Sequence, residues 1–192
     1  MNTFGLAPLL LILPFAGFLF NALVGRRFVE SDNRSIGEKW SGWTASGLAL
    51  LAFIIGLSLA FSLAGNDFEG ETIRLFNWIV IPSANFFVEW AMQIDSLAIV
   101  MVLVVTGVGS LIHIYAIGYM HGDPDFSRFF AYMNLFLFFM LVLVTANNYL
   151  MLFVGWEGVG LCSYLLIGFW FDRVNEKGQW MNADAARKAF VV

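Results

Sequence analysis

One carboxylate, Glu157, lies near the middle of a long apolar run from Tyr149 to Trp170. It falls about eight residues into the run, which is roughly 12 Å along a helix with a rise of 1.5 Å per residue. An acid at the centre of a membrane-spanning helix costs about 2.5–3.5 kcal/mol on insertion scales. Such a group must be neutral, hydrated or paired with a cation. Because a nearby cation lowers the pKa of a carboxyl, moving the cation away or back would make the carboxyl take up or release a proton. We interpret Glu157 as a proton-relay acid, and the alternative is a static ion pair that joins two helices.

The residues around Glu157 separate onto two opposite faces when they are placed at 100° per residue. The first face holds the small residues Gly155, Gly158 and Cys162. The second face holds Glu157, Gly160, Leu161 and Tyr164. A stripe of small residues lets a second helix approach closely, so the first face is predicted to pack. The second face has the room and polarity that a water-lined proton path needs.

A second group of polar residues lies in the run that precedes His121. Thr106, Gly109, Ser110 and His113 fall within about 100° of arc on one helix. His113 can hold a proton near neutral pH, but we favour a structural role in which it bonds a carbonyl on a neighbouring helix. His121 lies outside the span and is expected to be solvated, and the spacing of the two histidines does not suit haem ligation.

Three further charged residues stand at the ends of apolar runs. Asp95 is expected to act as an N-terminal acid of the third helix, where Asp95 or Ser96 would be the N-cap. Arg187 and Lys188 begin the last run and are expected to anchor it at the membrane interface. The alternative for Lys188 is a cation that points into the bundle near a proton path.

The elements that position these residues are transmembrane helices. The chain is 60% hydrophobic and 12% charged, whereas a soluble domain has about 25% charged residues. Apolar runs of about 20 residues predict a helix that spans the membrane. Five such runs occur, at roughly Phe4–Val24, Gly42–Ala64, Leu97–Met120, Phe129–Ala146 and Tyr149–Trp170. A sixth run begins at "ADAARKAFVV", so we expect 1–192 to be a single membrane domain that forms the N-terminal part of a longer protein.

Basic residues in the loops predict the orientation. The first, third and fifth loops carry seven Lys or Arg residues, and the second loop carries one, Arg74. The positive-inside rule therefore predicts an external N-terminus. The first apolar run has no basic residue before it and two after it, so we interpret it as an uncleaved span and not as a signal peptide.

The second loop is predicted to form a short β-hairpin on the outer side. Two β-prone runs, "ETIRLFNWIVIP" and "SANFFVEWAMQID", flank a turn at Pro82–Asn85. The alternative is an interfacial segment anchored by Trp78 and Trp90. The predicted fold class is thus an all-α polytopic membrane protein with a hairpin between helices 2 and 3.

Several function classes are disfavoured by composition. A single cysteine, Cys162, excludes an internal disulfide or a protein-ligated iron–sulfur cluster. The chain has no Gly-rich phosphate loop and no basic patch for nucleic acid.

The stretch "SRFFAYMNLFLFFMLVLVTANNYLMLFVGWEGVGLCSYLLIGFW" lies between "HIYAIGYM" and "ARKAFVV". Together they resemble the subunit L (chain 5) family of respiratory complex I. That family is antiporter-like and is related to Mrp-type cation/proton antiporters. The resemblance covers essentially the whole chain, including "QIDSLAIVM", and "GWEGVGLCSYLLIGFW" is its most specific motif.

The resemblance implies a proton-translocating membrane-arm subunit of NADH:quinone oxidoreductase. It implies that Glu157 pairs with a lysine on a later helix, and that the hairpin is periplasmic. It also implies that NADH, FMN, iron–sulfur clusters and quinone are bound by other subunits and none by this chain. The implied partners are other membrane-arm subunits and the lipid bilayer, in a bacterial plasma membrane. Asn147-Asn148 departs from the Asp-Asn that the resemblance implies, so the aspartate of that loop is absent at Asn147.

Two other functions remain open from the sequence. The shared motif is equally compatible with a subunit of an Mrp-type cation/proton antiporter. A structural membrane subunit, in which Glu157 only clamps helices together, is the third interpretation.

Overall fold

A computed structural model describes residues 4–25, 27, 34–65, 69–173 and 183–191. It contains five helices that are long and apolar enough to cross a membrane. The first span begins with a 3-10 turn, Phe4–Leu6, continues as α1 (Ala7–Phe20) and ends in a π-helical turn, Asn21–Gly25. The others are α2 (Arg34–Ala64), α3 (Ser96–Tyr119), α4 (Phe126–Val144) and α5 (Tyr149–Ile167). The predicted polytopic α-helical fold is confirmed.

A short sixth helix, α6 (Ala183–Val191), follows α5 and packs against it. The expected sixth helix therefore begins where the sequence predicts. Arg26 and Lys177, which entered the count of basic loop residues, lie outside the described residues.

The start of α2 differs from the prediction, which placed it at Gly42. The helix begins about two turns earlier, at Arg34. The physical reason is that Glu38 is buried, at 4% exposure, and accepts hydrogen bonds from the loop that follows α3. Polar residues thus extend α2 before its apolar part. Hydropathy alone therefore places the first residue of α2 too late in the chain.

The apolar core lies between α1, α2, α3 and α4. Leu10, Ala52, Val102 and Leu141 are completely buried within it. α3 packs mainly along α2, while α1 and α5 pack on different sides of α4. Glu157 and its helix are therefore at the edge of this described bundle.

The hairpin predicted between the second and third spans is confirmed. β1 (Glu71–Ile81) and β2 (Phe86–Ile94) are antiparallel neighbours. Their turn ends at Asn85, whose φ of 49° is in the left-handed region that asparagine tolerates. Trp78 and Trp90, the residues of the interfacial alternative, pack edge to face across the strands with ring centroids 5.3 Å apart.

The hairpin is attached to the connection between α4 and α5. The backbone N–H of Gln93 donates to the carbonyl of Thr145 at 2.7 Å, and Met92 pairs with Ala146. We call this the hairpin end of the bundle. The opposite end carries the turn between α3 and α4 together with the residues that follow α5, and we call it the loop end.

Candidate functional site

The helix that carries Glu157 is fixed at the hairpin end by Asn148. The side-chain oxygen of Asn148 accepts a hydrogen bond from the backbone N–H of Met151 at 2.9 Å and so N-caps α5. Its amide nitrogen donates to the carbonyl of Glu89 in β2 at 2.8 Å. One side chain therefore joins the start of α5 to the hairpin.

The small-residue face of α5 packs against α4. A Cβ built on Gly155 would lie 2.7 Å from the backbone nitrogen of Leu143, and one built on Gly158 would overlap the ring of Phe139. Cys162, on the same face, is completely buried. Larger side chains at these positions would separate the two helices.

The opposite face of α5 carries Glu157, and it is exposed in the described structure. Leu161 is 52% exposed and Tyr164 is 42% exposed. Nothing lies within 4 Å of a Cβ built on Gly160. Among the residues that the structure describes, Glu157 has no ion-pair partner. A carboxylate at mid-span thus faces outward, beside an open position.

A cavity of about 290 Å³ lies towards the loop end of this face. Its lining includes Tyr164, together with Arg128 and Tyr132 from α4. Tyr164 lies two turns after Glu157 on the same helix face. The cavity therefore lies between Tyr164 on the exposed face of α5 and Arg128 of α4.

The polar face of α3 is buried in the bundle. Thr106 and Ser110 donate their hydroxyls to carbonyls one turn earlier, those of Val102 and Thr106, each at 2.6 Å. His113 is 1% exposed, and its Nδ1 lies 2.7 Å from the carbonyl oxygen of Gly109. The expectation that His113 bonds a neighbouring helix is wrong, because the carbonyl four residues back on its own helix lies within reach.

The other charged candidates lie at helix ends. Asp95 is confirmed as the N-cap of α3, since its Oδ1 accepts from the backbone N–H of Ala98 at 2.8 Å. His121 is largely exposed, yet its Nδ1 lies 2.8 Å from Oε2 of Glu38. Arg187 and Lys188 in α6 are both exposed, so the structure does not bring Lys188 into the described bundle.

A polar cluster closes the loop end. Asp123 accepts hydrogen bonds from the guanidinium of Arg173 and, at 3.0 Å, from the indole of Trp170. Burial raises the pKa of Asp123, but the hydrogen bonds from the Asp125 backbone N–H, Arg173 and Trp170 outweigh it and lower the pKa below its usual value. The cluster ties the turn before α4 to the end of α5.

Sequence reasoning missed polar residues that lie inside the bundle. Asn134 and Ser46 are buried in α4 and α2, and Asn21 accepts a hydrogen bond from Ser41. The available signal was an amide side chain in an otherwise apolar run, which is costly in a membrane unless it has a partner. Among the described residues, no three His, Cys, Asp or Glu side chains converge as metal ligands.

Two family models match the chain. Residues 78–130 match the model described as NADH-ubiquinone oxidoreductase (complex I), chain 5 N-terminus. Residues 146–192, which include Glu157, match the model described as NADH:quinone oxidoreductase/Mrp antiporter, TM. With the five helices and the mid-span acid, these matches define a polytopic membrane protein of the antiporter-like class.

Individual relatives agree with the family models. NADH-quinone oxidoreductase subunit L of Mycobacterium tuberculosis is 45% identical over 96% of this chain and 27% of the relative. NADH-ubiquinone oxidoreductase chain 5 of Podospora anserina is 43% identical over 86% of this chain and 24% of the relative. Over most of its length the chain is similar to subunit L (chain 5) proteins, and it spans about a quarter of the length of the curated relatives that it matches.

A solved structure shares the fold. The Mrp complex from Dietzia sp. DQ12-45-1b contains a chain that aligns with a TM-score of 0.64 at 24% identity. The alignment covers 96% of this chain and 17% of that chain. The likeness supports the helical architecture described above.

Proposed function

We propose that this chain is part of a proton-translocating membrane-arm subunit of NADH:quinone oxidoreductase. The observation that carries the proposal is Glu157, a carboxylate near the middle of a spanning helix, on the face that no described helix covers. Intramembrane acids cost free energy and mark ion or proton pathways. A helix that covers this face and supplies a lysine would complete a Glu–Lys relay.

Three further residues have subordinate roles in the proposal. Tyr164, beside the cavity of about 290 Å³, passes protons between the loop end and Glu157. His113 holds a proton inside the bundle, and Lys188 supplies a positive charge near the path. Gly155, Gly158 and Cys162 hold α5 against α4, so that the acid face remains turned away from the bundle.

The wider assignment follows from the relatives and is also part of the proposal. The subunit assembles with other membrane-arm subunits in the bilayer of a bacterial plasma membrane, with the hairpin and N-terminus on the periplasmic side. NADH, FMN, iron–sulfur clusters and quinone belong to other subunits, and this chain binds no redox group and no nucleic acid. The excess of Lys and Arg in the first, third and fifth loops supports that orientation.

A second function is favoured by one observation, the match of residues 146–192 to a family model whose description also includes the Mrp antiporter. In that case the same acid would exchange protons for a monovalent cation, with no connection to NADH. In the third interpretation Glu157 forms only a static ion pair between helices.

Membrane vesicles that contain the intact complex with the full-length subunit distinguish these functions. We expect NADH oxidation to drive proton uptake, and Glu157→Gln to abolish or sharply reduce it because the amide cannot take up a proton. Glu89→Gln is the matched control, since Glu89 is a hairpin carboxylate paired with Arg74 at 3.0 Å. Proton movement driven by a sodium gradient, without NADH, would instead support the antiporter. Unchanged NADH-driven uptake in Glu157→Gln would support the static ion pair.

A further inference from the structure

Three polar atoms inside the bundle lack a hydrogen-bond partner among the described residues. They are Oγ of Ser46, Nε2 of His113 and Oδ1 of Asn134. The three residues are 2%, 1% and 0% exposed, respectively. Buried polar atoms in proteins are nearly always hydrogen-bonded to protein or to ordered water. Three such atoms in one bundle therefore point to a ligand that satisfies them.

Ser46 and His113 lie at the same level of two antiparallel helices. A Cβ built on Gly42 of α2 would lie 3.0 Å from Cγ1 of Ile117 in α3. Ser46 is four residues after Gly42, and His113 is four residues before Ile117. Since α2 and α3 run in opposite directions, one turn along each helix brings Ser46 opposite His113.

Asn134 of α4 lies at this level too. On one side of it along α4, the ring of Phe130 lies 6.3 Å from the ring of His113. On the other side, the side chain of Leu137 is 3.2 Å from a Cβ built on Gly109. Asn134 is thus bracketed by two contacts between α3 and α4, and its Oδ1 lies on the side of α1, 2.5 Å from a Cβ built on Gly17.

The hydrogen bonds that His113 and Asn134 already make determine whether their remaining atoms donate or accept. A carbonyl only accepts, so Nδ1 of His113 carries the hydrogen that bonds Gly109. Nε2 is then the acceptor of the neutral ring and the position at which a proton is added. The amide nitrogen of Asn134 donates to the Phe130 carbonyl at 3.0 Å, which leaves its oxygen as an acceptor. A hydroxyl such as that of Ser46 can donate to neutral Nε2, and an amide oxygen can accept from the protonated ring.

We propose that Ser46, His113 and Asn134 bind ordered water inside the bundle, and that His113 takes up and releases a proton at Nε2 through this water. A buried water needs two to four polar partners, and these side chains supply three. The site deepens the proposed role of His113. It lies in the interior between α1, α2, α3 and α4, away from the outward face of Glu157, and its water does not depend on the protonation of Glu157.

The surroundings of the site contain few other ionisable groups. No Asp, Glu, Lys or Arg occurs in 4–25, 40–64, 96–122 or 129–144. The nearest charged groups on the packed helices are at the loop end, where Glu38 bonds His121 and Arg128 bonds Asp125. The tyrosines of these spans are Tyr115, Tyr119 and Tyr132. Protonation of His113 would therefore be balanced by water and dipoles and not by a nearby carboxylate.

A high-resolution density map of the intact complex tests whether a water is bound at His113. We expect a water peak about 2.7–3.2 Å from Nε2 of His113 that also contacts Ser46 or Asn134, and its loss in Ser46→Ala combined with Asn134→Leu. A map in which Nε2 contacts only carbon atoms would overturn the site. Glu157→Gln should leave the water peak in place, so failure of the relay and failure of the water site are distinguishable.

The pH dependence of proton transport tests whether His113 takes up a proton. His113→Gln keeps a polar side chain but cannot be protonated, so we expect the profile to lose one titration step. His121→Gln, at the exposed histidine, is the control and should keep that step. A profile of His113→Gln that matches the unsubstituted complex at every pH would overturn proton uptake by His113.

Discussion

The backbone of Leu143 occupies the space beside Gly155, so that a single methyl group on Gly155 would lie 2.7 Å from the Leu143 backbone. Because backbone atoms cannot rotate away as a side chain can, this contact determines how closely α5 approaches α4. It also determines which side of α5 remains uncovered, and that is the side that carries Glu157.

The contact predicts that Gly155→Ala and Gly160→Ala differ strongly in their effect on the stability of the protein. Gly155→Ala should destabilise the protein by about 1–3 kcal/mol, because overpacking forces the two helices apart. Gly160→Ala, where a Cβ meets nothing within 4 Å among the described residues, should destabilise the protein less than Gly155→Ala does. Thermal unfolding of the full-length protein in detergent measures both. Equal melting temperatures for the two variants would contradict the described packing.

The cap at Asn148 predicts a second pair of variants. Asn148→Ala removes both the cap of α5 and the bond to Glu89, and should cost about 0.5–2 kcal/mol for the cap alone. Asn148→Asp keeps the cap acceptor but loses the amide donor, so its loss of stability should be smaller. Limited proteolysis of the hairpin reports the attachment separately. If both variants resist protease as well as the original chain does, Asn148 does not tie the hairpin to α5.

Asp123 predicts how the loop end responds to acid. Its pKa in the folded protein is lowered, so its hydrogen bonds stabilise fully above its usual value of about 3.9 and are lost as the pH falls through the folded value. We expect the melting temperature to fall on acidification below about pH 4, and to fall less in Asp123→Asn. The amide keeps the shape but cannot be protonated in this range. Identical pH dependence in both proteins would show that Asp123 does not contribute.

The proposed orientation predicts which ends are accessible from outside. These 192 residues contain one cysteine, Cys162, which is buried, and the labelling background is a full-length subunit in which this and every other cysteine is replaced by alanine. A cysteine at Ser83, in the hairpin turn, should react with an impermeant maleimide added to intact cells. A cysteine at Lys39, near the opposite end, should react only after the membrane is opened. Reversed reactivity would place the N-terminus in the cytoplasm.

Much of the fold could be predicted from local sequence patterns. Long apolar runs identified the five spans, alternating β-prone runs identified the hairpin, and the 3.6-residue period separated Gly155 from Glu157. These features depend on residues that are close in the chain.

Contacts between distant residues could not be predicted in the same way. His121 bonds Glu38, 83 residues earlier, and Arg173 bonds Asp123, 50 residues earlier. Asn134 stands out as an amide in an apolar run, but only the packing of the helices brings Asn134 and Ser46 to the level of His113. Among the described residues Glu157 has no ion-pair partner.

Glu157→Asp tests whether the position of the charge matters as well as its presence. The shorter side chain keeps an ionisable carboxyl but withdraws it by about one methylene. We therefore expect partial proton transport, between that of the original complex and that of Glu157→Gln. Transport as low as in Glu157→Gln would indicate that geometry limits the relay more than ionisation does.

The number of protons moved per NADH oxidised tests the central claim most directly. It is measured in vesicles that contain the intact complex, with and without Glu157→Gln, alongside a check that the variant complex assembles. The proposed relay predicts that the assembled Glu157→Gln complex moves fewer protons per NADH or stops turning over. An assembled Glu157→Gln complex with unchanged turnover and an unchanged proton number would contradict the assignment of Glu157 as the proton-carrying acid.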